Sequence, residues 1–351
     1  MDLTATTVPP GAPSGPGRAA DGLGPAIGLG RAADDPVLAD FASEVGPEGP
    51  VCVAGGRTQW SVGGLPIPGT RELNAPVGVV AHQPEEMIVR VRAGTTVAAL
   101  DAVLAANGQM VPFDPLDPDR ATVGGVLAVG HSGLRRLRYG PVRDTVLEVR
   151  FVSAAGKVVK AGGPVVKNVT GYDLCRLLVG SLGTLGLVAE VVLRCHPRPA
   201  AQRWLRSREP GAVDPFAVTR RLYRPSSVLW DGHHVWVLLE GHPDDVDGQT
   251  ASVLGADFAD VEAPPSVPAA ARVSLAPGQL AALAGETGGS GPWLAQVGVG
   301  IVHTNDPAEV ATRVGVSWPP VVAPRVADLH RELKARFDPQ GRLNPGRQLV
   351  P

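Results

Sequence analysis

Three glycine-rich segments hold the residues best suited to binding chemistry, and all three offer main chain rather than reactive side chains. The first is Ala54-Gly55-Gly56-Arg57-Thr58-Gln59. Adjacent glycines allow a tight turn that aims successive N–H groups into one concavity, a nest for phosphate oxygens, and Arg57 and Thr58 add side-chain donors. The second runs Ala121-Thr122-Val123-Gly124-Gly125-Val126-Leu127-Ala128-Val129-Gly130-His131-Ser132-Gly133, whose small residues let a flat ring approach the backbone. The third is Gly180-Ser181-Leu182-Gly183-Thr184-Leu185-Gly186.

A dinucleotide-binding turn is the obvious rival for the third segment, but its glycines are spaced G-x-x-G-x-x-G rather than G-x-G-x-x-G. A helix also precedes it and a strand follows, the reverse of the order that points a helix N-terminus at a pyrophosphate. This excludes NAD binding by that fold. No G-x-x-x-x-G-K-[ST] loop is present, so nucleotide hydrolysis of the P-loop type is unsupported as well.

The elements that must position these loops follow from periodicity. A short helix is expected from Pro36 to Val45, and Val51 to Ala54 reads as a buried strand running into the first loop. Met87 to Arg92 alternates as a strand. Thr96 to Asn107 reads as a helix capped by Thr95 or Thr96 and ended by Gly108, with Val97, Leu100, Val103 and Leu104 on its inner face. Val146 to Val152 and Val158 to Ala161 form a hairpin about Ala155-Gly156-Lys157. Asp173 to Val179 is a short helix closed by Gly180, and Leu187 to Arg194 is a strand stopped by Pro197 and Pro199, which mark a domain boundary. Beyond it, Ser227 to Trp230, Val235 to Glu240 and Leu294 to His303 read as strands and Asp244 to Leu254 as a helix. Together they suggest a small, mostly antiparallel second domain. Val326 to Phe337 is an amphipathic helix with Val326, Leu329 and Leu333 on one stripe.

Composition bounds the partners. The 351 residues carry 19% charged side chains and a net charge of -2, so no strong field would draw nucleic acid or an anionic membrane. No stretch is apolar for the length of a membrane span, and the amino end lacks a basic-then-apolar signal, so a cytoplasmic protein is expected. Residues 1–33 are rich in Pro, Gly and Ala, and a disordered tail is expected there. Cys52, Cys175 and Cys195 are too far apart for a disulfide framework or a metal-binding pair and read as small buried apolar residues.

In order along the chain, these segments resemble the FAD-binding domain of the vanillyl-alcohol oxidase family, the PCMH-type flavoproteins. The resemblance is carried by Val91-Arg92-Ala93-Gly94-Thr95-Thr96-Val97, Gly108-Gln109-Met110-Val111-Pro112, Arg138-Tyr139-Gly140-Pro141-Val142-Arg143-Asp144 and Lys167-Asn168-Val169-Thr170-Gly171-Tyr172-Asp173-Leu174. It resumes at Phe337-Asp338-Pro339-Gln340-Gly341-Arg342-Leu343-Asn344-Pro345-Gly346. The resemblance implies an α+β fold. A two-subdomain FAD-binding domain would occupy 34–200 and a small antiparallel α+β cap domain 201–323, with a C-terminal helix and segment, 324–351, returning to the FAD domain. It also implies that Gly55, Gly56, Arg57, Thr58 and Gln59 hold the FAD pyrophosphate and that Pro112, Thr122, Gly124, Gly125 and Ala128 lie along the isoalloxazine and ribityl chain. Gly183, Thr184, Gly186 and Val188 would line the adenine side or the closing strand, and Asn344 would fold back on the flavin domain.

Within that family the chain looks most like the glycolate-oxidase branch, which implies a flavin subunit working with a catalytic flavoprotein subunit and an iron–sulfur subunit. Three cysteines cannot hold a cluster here, so one-electron transfer onward uses another protein. Some relatives bind FAD covalently through a histidine in the first glycine loop. This loop has none, which implies noncovalent FAD. The H-x-G-D-G-N segment of metal-dependent 2-hydroxy-acid dehydrogenases is also absent, and no metal site is expected. Three readings therefore stand together: a flavin subunit of a 2-hydroxy-acid-oxidising complex, an independent FAD oxidoreductase of another alcohol or carboxylate, and a flavin-stabilised scaffold subunit.

Among candidate acid–base groups His131 stands first, because it sits in the segment expected beside the flavin and histidine titrates near neutrality. A loop histidine bonded to the backbone is the plainer alternative. His233 and His234, adjacent in an expected strand, would face opposite ways and could not share a metal; His303 could face a pocket from the end of a strand, but a surface position is expected. Arg135, Arg136, Arg138 and Arg143 could hold a carboxylate, meet an acidic partner or form a solvated face. Tyr139 and Tyr172 could stack near the flavin or pack in the core, and Lys167 and Asp173 could form a structural pair.

Overall fold

The computed structural model describes residues 35–163, 173–284 and 292–348. The expected N-terminal tail, Lys167 and Tyr172 lie outside the described residues. Among the described residues the chain is α+β, with a five-stranded and a seven-stranded antiparallel sheet and two short strand pairs, and its two parts meet at a seam where residues 134–138 pack on the larger sheet.

The first part contains α1 (Pro36–Val45), β1 (Val51–Val53), β2 (Arg71–Leu73), β3 (Val79–Gln83), β4 (Ile88–Arg92), α2 (Val97–Ala105), β5 (Gln109–Met110), α3 (Val123–Val129) and α4 (Arg136–Tyr139). It continues through β6 (Val146–Val152), β7 (Val158–Gly162), α5 (Leu174–Leu178), β8 (Leu187–Arg194) and β9 (His196–Pro197). Strands β3-β4-β8-β6-β7 form a five-stranded antiparallel sheet, while β1 and β2 pair in parallel. Asp35 caps α1 and Thr96 caps α2. The inner face of α2 is narrower than its periodicity suggests: Val97, Leu100 and Leu104 are buried, but Val103 is 41% exposed.

Strand alternation gives the five-stranded sheet two different faces. One carries Val89, Val91, Val149, Phe151, Val191 and Leu193 into an apolar core shared with Leu100, Leu104 and Leu127. The other carries Arg90, Arg92, Glu148, Arg150 and Glu190, all at least 93% buried. Glu190 on β8 lies directly opposite Arg92 on β4 and Arg150 on β6. Arg90 Nη1 is 2.9 Å from both Glu148 Oε1 and Glu190 Oε1, and Lys160 Nζ is 3.1 Å from Glu148 Oε2.

The second part contains β10 (Ala201–Ser207), α6 (Pro215–Arg221), β11 (Ser227–Trp230), β12 (Val235–Gly241), α7 (Pro243–Gln249), β13 (Phe258–Val261), β14 (Ala271–Ser274), β15 (Trp293–Gln296), β16 (Ile301–Thr304) and α8 (Pro307–Val314). Its sheet is seven-stranded and antiparallel, in the order β13-β10-β12-β11-β15-β16-β14. The stretch expected as one strand, Leu294 to His303, is two, because Val297–Gly300 turns the chain and places Ala295 opposite Val302. His233 and His234 sit in the turn before β12 rather than in a strand. Both donate their backbone N–H to Asp231 Oδ1, at 2.9 and 2.7 Å.

One face of this sheet buries Val228, Val237, Leu239, Val273, Ala295 and Val302 under its helices. The other presents Trp204, Leu238, Leu294 and Glu240 toward the segment after α3, where Leu134 packs. Arg135 crosses the seam to Glu240, Nη2 to Oε1 at 2.9 Å, and Arg138 donates to the Glu240 carbonyl. This resolves the arginine cluster: Arg135 and Arg138 dock the chain's own second sheet, whereas Arg143 is exposed, 3.9 Å from Asp144. Glu240 has no exposed side-chain surface. Glu240→Ala is therefore expected to cost about 3 kcal/mol by leaving the Arg135 charge unpaired, read as a lower urea midpoint.

Helix α9 (Pro324–Phe337) then leads back across the first part. Lys334 Nζ donates to the Thr184 carbonyl at 2.8 Å and to the Leu343 carbonyl at 3.0 Å. On its apolar stripe Val326 and Leu329 are 44% and 52% exposed, and Leu333 is half-buried. Leu343 bridges to Val51 in parallel, extending the β1–β2 pair, and Arg342 donates to the carbonyls of Val45, Gly46, Glu48, Gly49 and Ala154.

Candidate functional site

The first glycine loop leaves β1 once Ala54 N–H has bonded the Leu73 carbonyl at 2.9 Å. Arg57 then adopts a φ of 57°, a left-handed conformation uncommon for a side chain of its size. Among the described residues, the N–H groups of Gly55, Gly56, Arg57, Thr58 and Gln59 find no acceptor. The loop is thus a set of unspent donors curled into one hollow. A Cβ on Gly56 would fall 1.7 Å from the Arg120 carbonyl oxygen, so glycine is required for this loop to lie against the second segment.

The second segment is α3, capped by Thr122, whose Oγ1 accepts the Gly125 N–H at 3.1 Å. Val123 and Gly124 donate their N–H to the carbonyls of Thr95 and Ala93, at 2.9 and 2.7 Å. With those donors committed, the helix offers a smooth wall of Gly124, Gly125 and Ala128 instead. The third segment is stitched to it: Gly180 N–H bonds the Leu127 carbonyl and Leu182 N–H the Ala128 carbonyl, at 2.9 and 2.8 Å. Asn344, at φ 46°, donates to the Leu182 carbonyl at 2.6 Å.

Two cavities follow from this assembly, of about 240 and 90 Å³, and they share Val53, Gly55, Thr122, Gly125, Ala128 and Asn344. The smaller is lined by Gly55, Gly56, Arg57, Thr58 and Gln59, the larger by Gly124, Gly183 and Val188 besides the shared residues. Of the residues implied to hold the cofactor, Pro112, Thr184 and Gly186 line neither. Thr184 Oγ1 is spent on the Ser181 carbonyl at 2.8 Å, and a Cβ on Gly186 would meet the Phe151 ring at 2.4 Å.

Several lining residues were not foreseen. Trp60 and Arg347 line the smaller cavity, with the Arg57 and Arg347 guanidiniums 4.7 and 4.5 Å from the Trp60 ring centroid. Arg347 follows Asn344-Pro345-Gly346 directly, and its position after a returning motif was the available signal. Asn74, Ala75, Ala93 and Gly94 line the larger cavity from loops whose role only packing reveals. Asn344 Oδ1 and Ser181 Oγ, on residues lining that cavity, are buried without partners. Unspent N–H donors beside two cations, continuous with a flat-walled cavity bearing unpaired polar atoms, fit a molecule with a pyrophosphate and a planar heterocycle.

His131 follows Gly130, the left-handed cap of α3, and lines neither cavity. Burial, helped by the charge of Arg272 and by His303, pushes its pKa down to about 4, so the imidazole is neutral at pH 7. His303 is buried rather than at the surface, and its Nε2 lies 2.8 Å from Gln296 Nε2. Tyr139 packs edge-on against His196, centroids 5.2 Å apart. Asp173 caps α5 by accepting the Arg176 N–H at 3.0 Å. All three cysteines are free and buried. Among the described residues there is no group of His, Cys, Asp or Glu suited to a metal and no helix long and apolar enough to cross a membrane.

A family model described as an FAD binding domain matches residues 48–162, a span that includes the first two glycine segments. The chain belongs to the PCMH-type FAD-binding oxidoreductases. It is 33% identical over 311 residues to glycolate oxidase subunit GlcE of Escherichia coli, covering 81% of this chain and 88% of that protein. It is 36% identical over 121 residues to glycolate oxidase subunit GlcD of Bacillus subtilis, covering 34% of this chain and 26% of that one. A D-lactate dehydrogenase of Archaeoglobus fulgidus is 34% identical over 150 residues, 42% of this chain and 34% of that one. Among solved structures, an alkyldihydroxyacetonephosphate synthase superposes with a TM-score of 0.64 at 15% identity, covering 88% of this chain and 73% of that one.

Proposed function

We propose that the chain is the FAD-binding subunit of a complex that oxidises a small 2-hydroxy acid of the glycolate kind, working with a catalytic flavoprotein subunit and an iron–sulfur subunit in the cytoplasm. The supporting observation is that the similarity to GlcE runs through both sheets, covering 88% of that protein, rather than ending with the flavin loops. In this reading residues up to about 200 form the FAD domain, 201–323 a cap, and 324–351 the segment that closes the flavin site.

FAD, when bound, supplies a two-electron acceptor. The chain's own residues bind and orient it. Gly55 to Gln59 direct N–H donors at the phosphates, Arg57 and Arg347 balance their charge, and Gly124, Gly125 and Ala128 let the ring lie close to the backbone. Asn344 ties the closing segment to Leu182, and Val188 and Gly183 wall the far end.

The chain purified alone is expected to carry flavin absorption bands, and acid precipitation is expected to release all the flavin to the supernatant because no loop histidine bonds it. A colourless chain that takes up no added FAD would sink the proposal; flavin retained in the pellet would overturn its noncovalent part. Coexpression with the two partner subunits should give a complex whose flavin is bleached anaerobically by glycolate.

A further inference from the structure

Where β8 and β9 leave the first sheet, a cluster of cations gathers that neither cavity uses. Arg194 ends β8, His196 opens β9, and Tyr139 of α4 packs edge-on against the histidine. Arg138 lies over the Tyr139 ring, 5.5 Å from its centroid, and donates to the Glu240 carbonyl. Arg224 comes from the second part, in the turn between α6 and β11. Its φ of 48° is a left-handed conformation uncommon for a side chain of its size. One bond on each side holds it there: Tyr223 N–H donates to Gln249 Oε1 at 2.8 Å and Ser226 N–H to the Leu238 carbonyl at 2.9 Å.

The cluster lacks a counter-charge. The charges that bear on His196 are those of Arg194, Arg138 and Arg224, with no carboxylate among them. Burial first, and then these three cations, push the His196 pKa below its ordinary value, so the ring is neutral at pH 7. Glu240, whose charge reaches Tyr139, is held by Arg135. Two further arginines, Arg220 and Arg221, end α6 just before Arg224. Among the described residues none of Arg138, Arg194, Arg220, Arg221 and Arg224 pairs with an acid. All but Arg138 are exposed, and Tyr223 beside them is 73% exposed. In a chain of net charge -2 this is a local excess of positive charge rather than part of a generally basic surface.

We infer that this surface docks an acidic face of a partner subunit, with Arg194, Arg221 and Arg224 supplying the charge and Tyr223 an aromatic contact. The cations stand on separate elements, and none of them lines either cavity. A small anion could reach only some of them, whereas a broad acidic surface answers all at once. Exposed arginine and tyrosine are also the residue types that protein interfaces concentrate. Nucleic acid, the other broad polyanion, calls for a field that a chain of net charge -2 does not provide. Unpaired arginines additionally steer an acidic partner toward one orientation before contact is made. The inference deepens the proposed function and rests on it for the identity of the partners.

The test is coexpression of the tagged chain with the two partner subunits, followed by capture of the FAD-loaded complex at two salt concentrations. The unaltered chain is expected to hold its partners at about 50 mM salt and to release most of them at about 500 mM, where exposed charges are screened. The double variant Arg194→Glu with Arg224→Glu is expected to capture at least about 10-fold less partner at the lower salt, with flavin content and thermal melt unchanged. The double variant Arg194→Lys with Arg224→Lys keeps the charge and is expected to capture as much as the unaltered chain. Equal capture by the charge-reversed variant, or capture indifferent to salt, would overturn the surface. So would binding of a DNA duplex of about 20 base pairs that the reversal abolishes, since the patch would then serve nucleic acid. A complex that still forms with the reversed variant removes this surface alone and leaves the proposed function standing. An FAD-loaded, unaltered chain that captures neither partner defeats both. If the double reversal does not fold, Arg194→Glu alone decides, with at least about 3-fold less partner expected.

Discussion

Gly56→Val protein is expected to fold but to emerge from purification largely without flavin, with FAD affinity lower by about 10- to 100-fold, the factor that overpacking of 1–3 kcal/mol supplies. The added Cβ would fall 1.7 Å from the Arg120 oxygen and 2.4 Å from its carbonyl carbon. Those are backbone atoms held in place, since Ala121 N–H bonds the Asp117 carbonyl and the Ala121 carbonyl receives the Val97 N–H, at 2.8 and 2.9 Å. The glycine loop must therefore move instead, and its unspent N–H groups move with it. The ratio of flavin to protein absorbance measures the loss, and a thermal melt close to that of the unaltered chain shows that folding survives. Gly278→Ala, where an added Cβ meets nothing within 4 Å, should keep its flavin. Full flavin content in Gly56→Val would mean that this loop does not hold the cofactor.

The largest effect on stability is expected from Arg90→Met. Arg90 binds both Glu148 and Glu190, and neither carboxylate has any exposed side-chain surface. Removing one partner of a buried pair costs about 3–5 kcal/mol, and here one change strands two charges that Arg150, Arg92 and Lys160 only partly cover. Against a total of roughly 5–15 kcal/mol, that brings the chain near unfolding at ordinary temperature. The network also sets an acid limit. Burial alone would raise the Glu148 pKa, but the hydrogen bonds and charges of Arg90 and Lys160 outweigh it and hold the pKa below 4.5. A depressed carboxylate stabilises the fold above its unfolded pKa, and that stability is lost as pH falls through the folded value. Urea unfolding of the unaltered chain should therefore show stability falling below about pH 4.5, and Arg90→Met should show a weaker dependence there. An unchanged midpoint in the variant would show that the pairs contribute nothing.

Most of the first part was legible because its elements announce themselves locally. Asp35 before Pro36, Thr96 before Val97 and Asp173 before Leu174 cap helices within a residue or so of where side-chain chemistry places them. The hairpin at Ala155-Gly156-Lys157 forms because its turn residues and flanking alternation agree. Reading failed where partners come from far away. The arginines and glutamates of β4, β6 and β8 alternate with valines as if facing water, yet they are buried, because each charge meets its opposite only after strands distant in sequence are laid side by side. Leu294 to His303 looks continuous in sequence and is broken by a turn.

The amino-acid order by itself located the glycine loops, and the resemblance of its ordered motifs to one flavoprotein family implied the kind of cofactor. Gly55-Gly56-Arg57, Gly124-Gly125 and the Gly180 to Gly186 segment carry their constraint in residue type, since only a missing side chain lets main chain approach main chain or ligand so closely. Tertiary structure alone decided which of those glycines face the cavities and which, like Gly186 against Phe151, merely pack. It brought Trp60 and Arg347 together across the chain, and it gathered Arg138, Arg194 and Arg224 about His196 with no carboxylate among them. The physical reason is that burial and hydrogen-bond satisfaction are properties of neighbours in space. Residue type states what an atom can donate or accept, and only the packed chain shows whether anything is there to receive it.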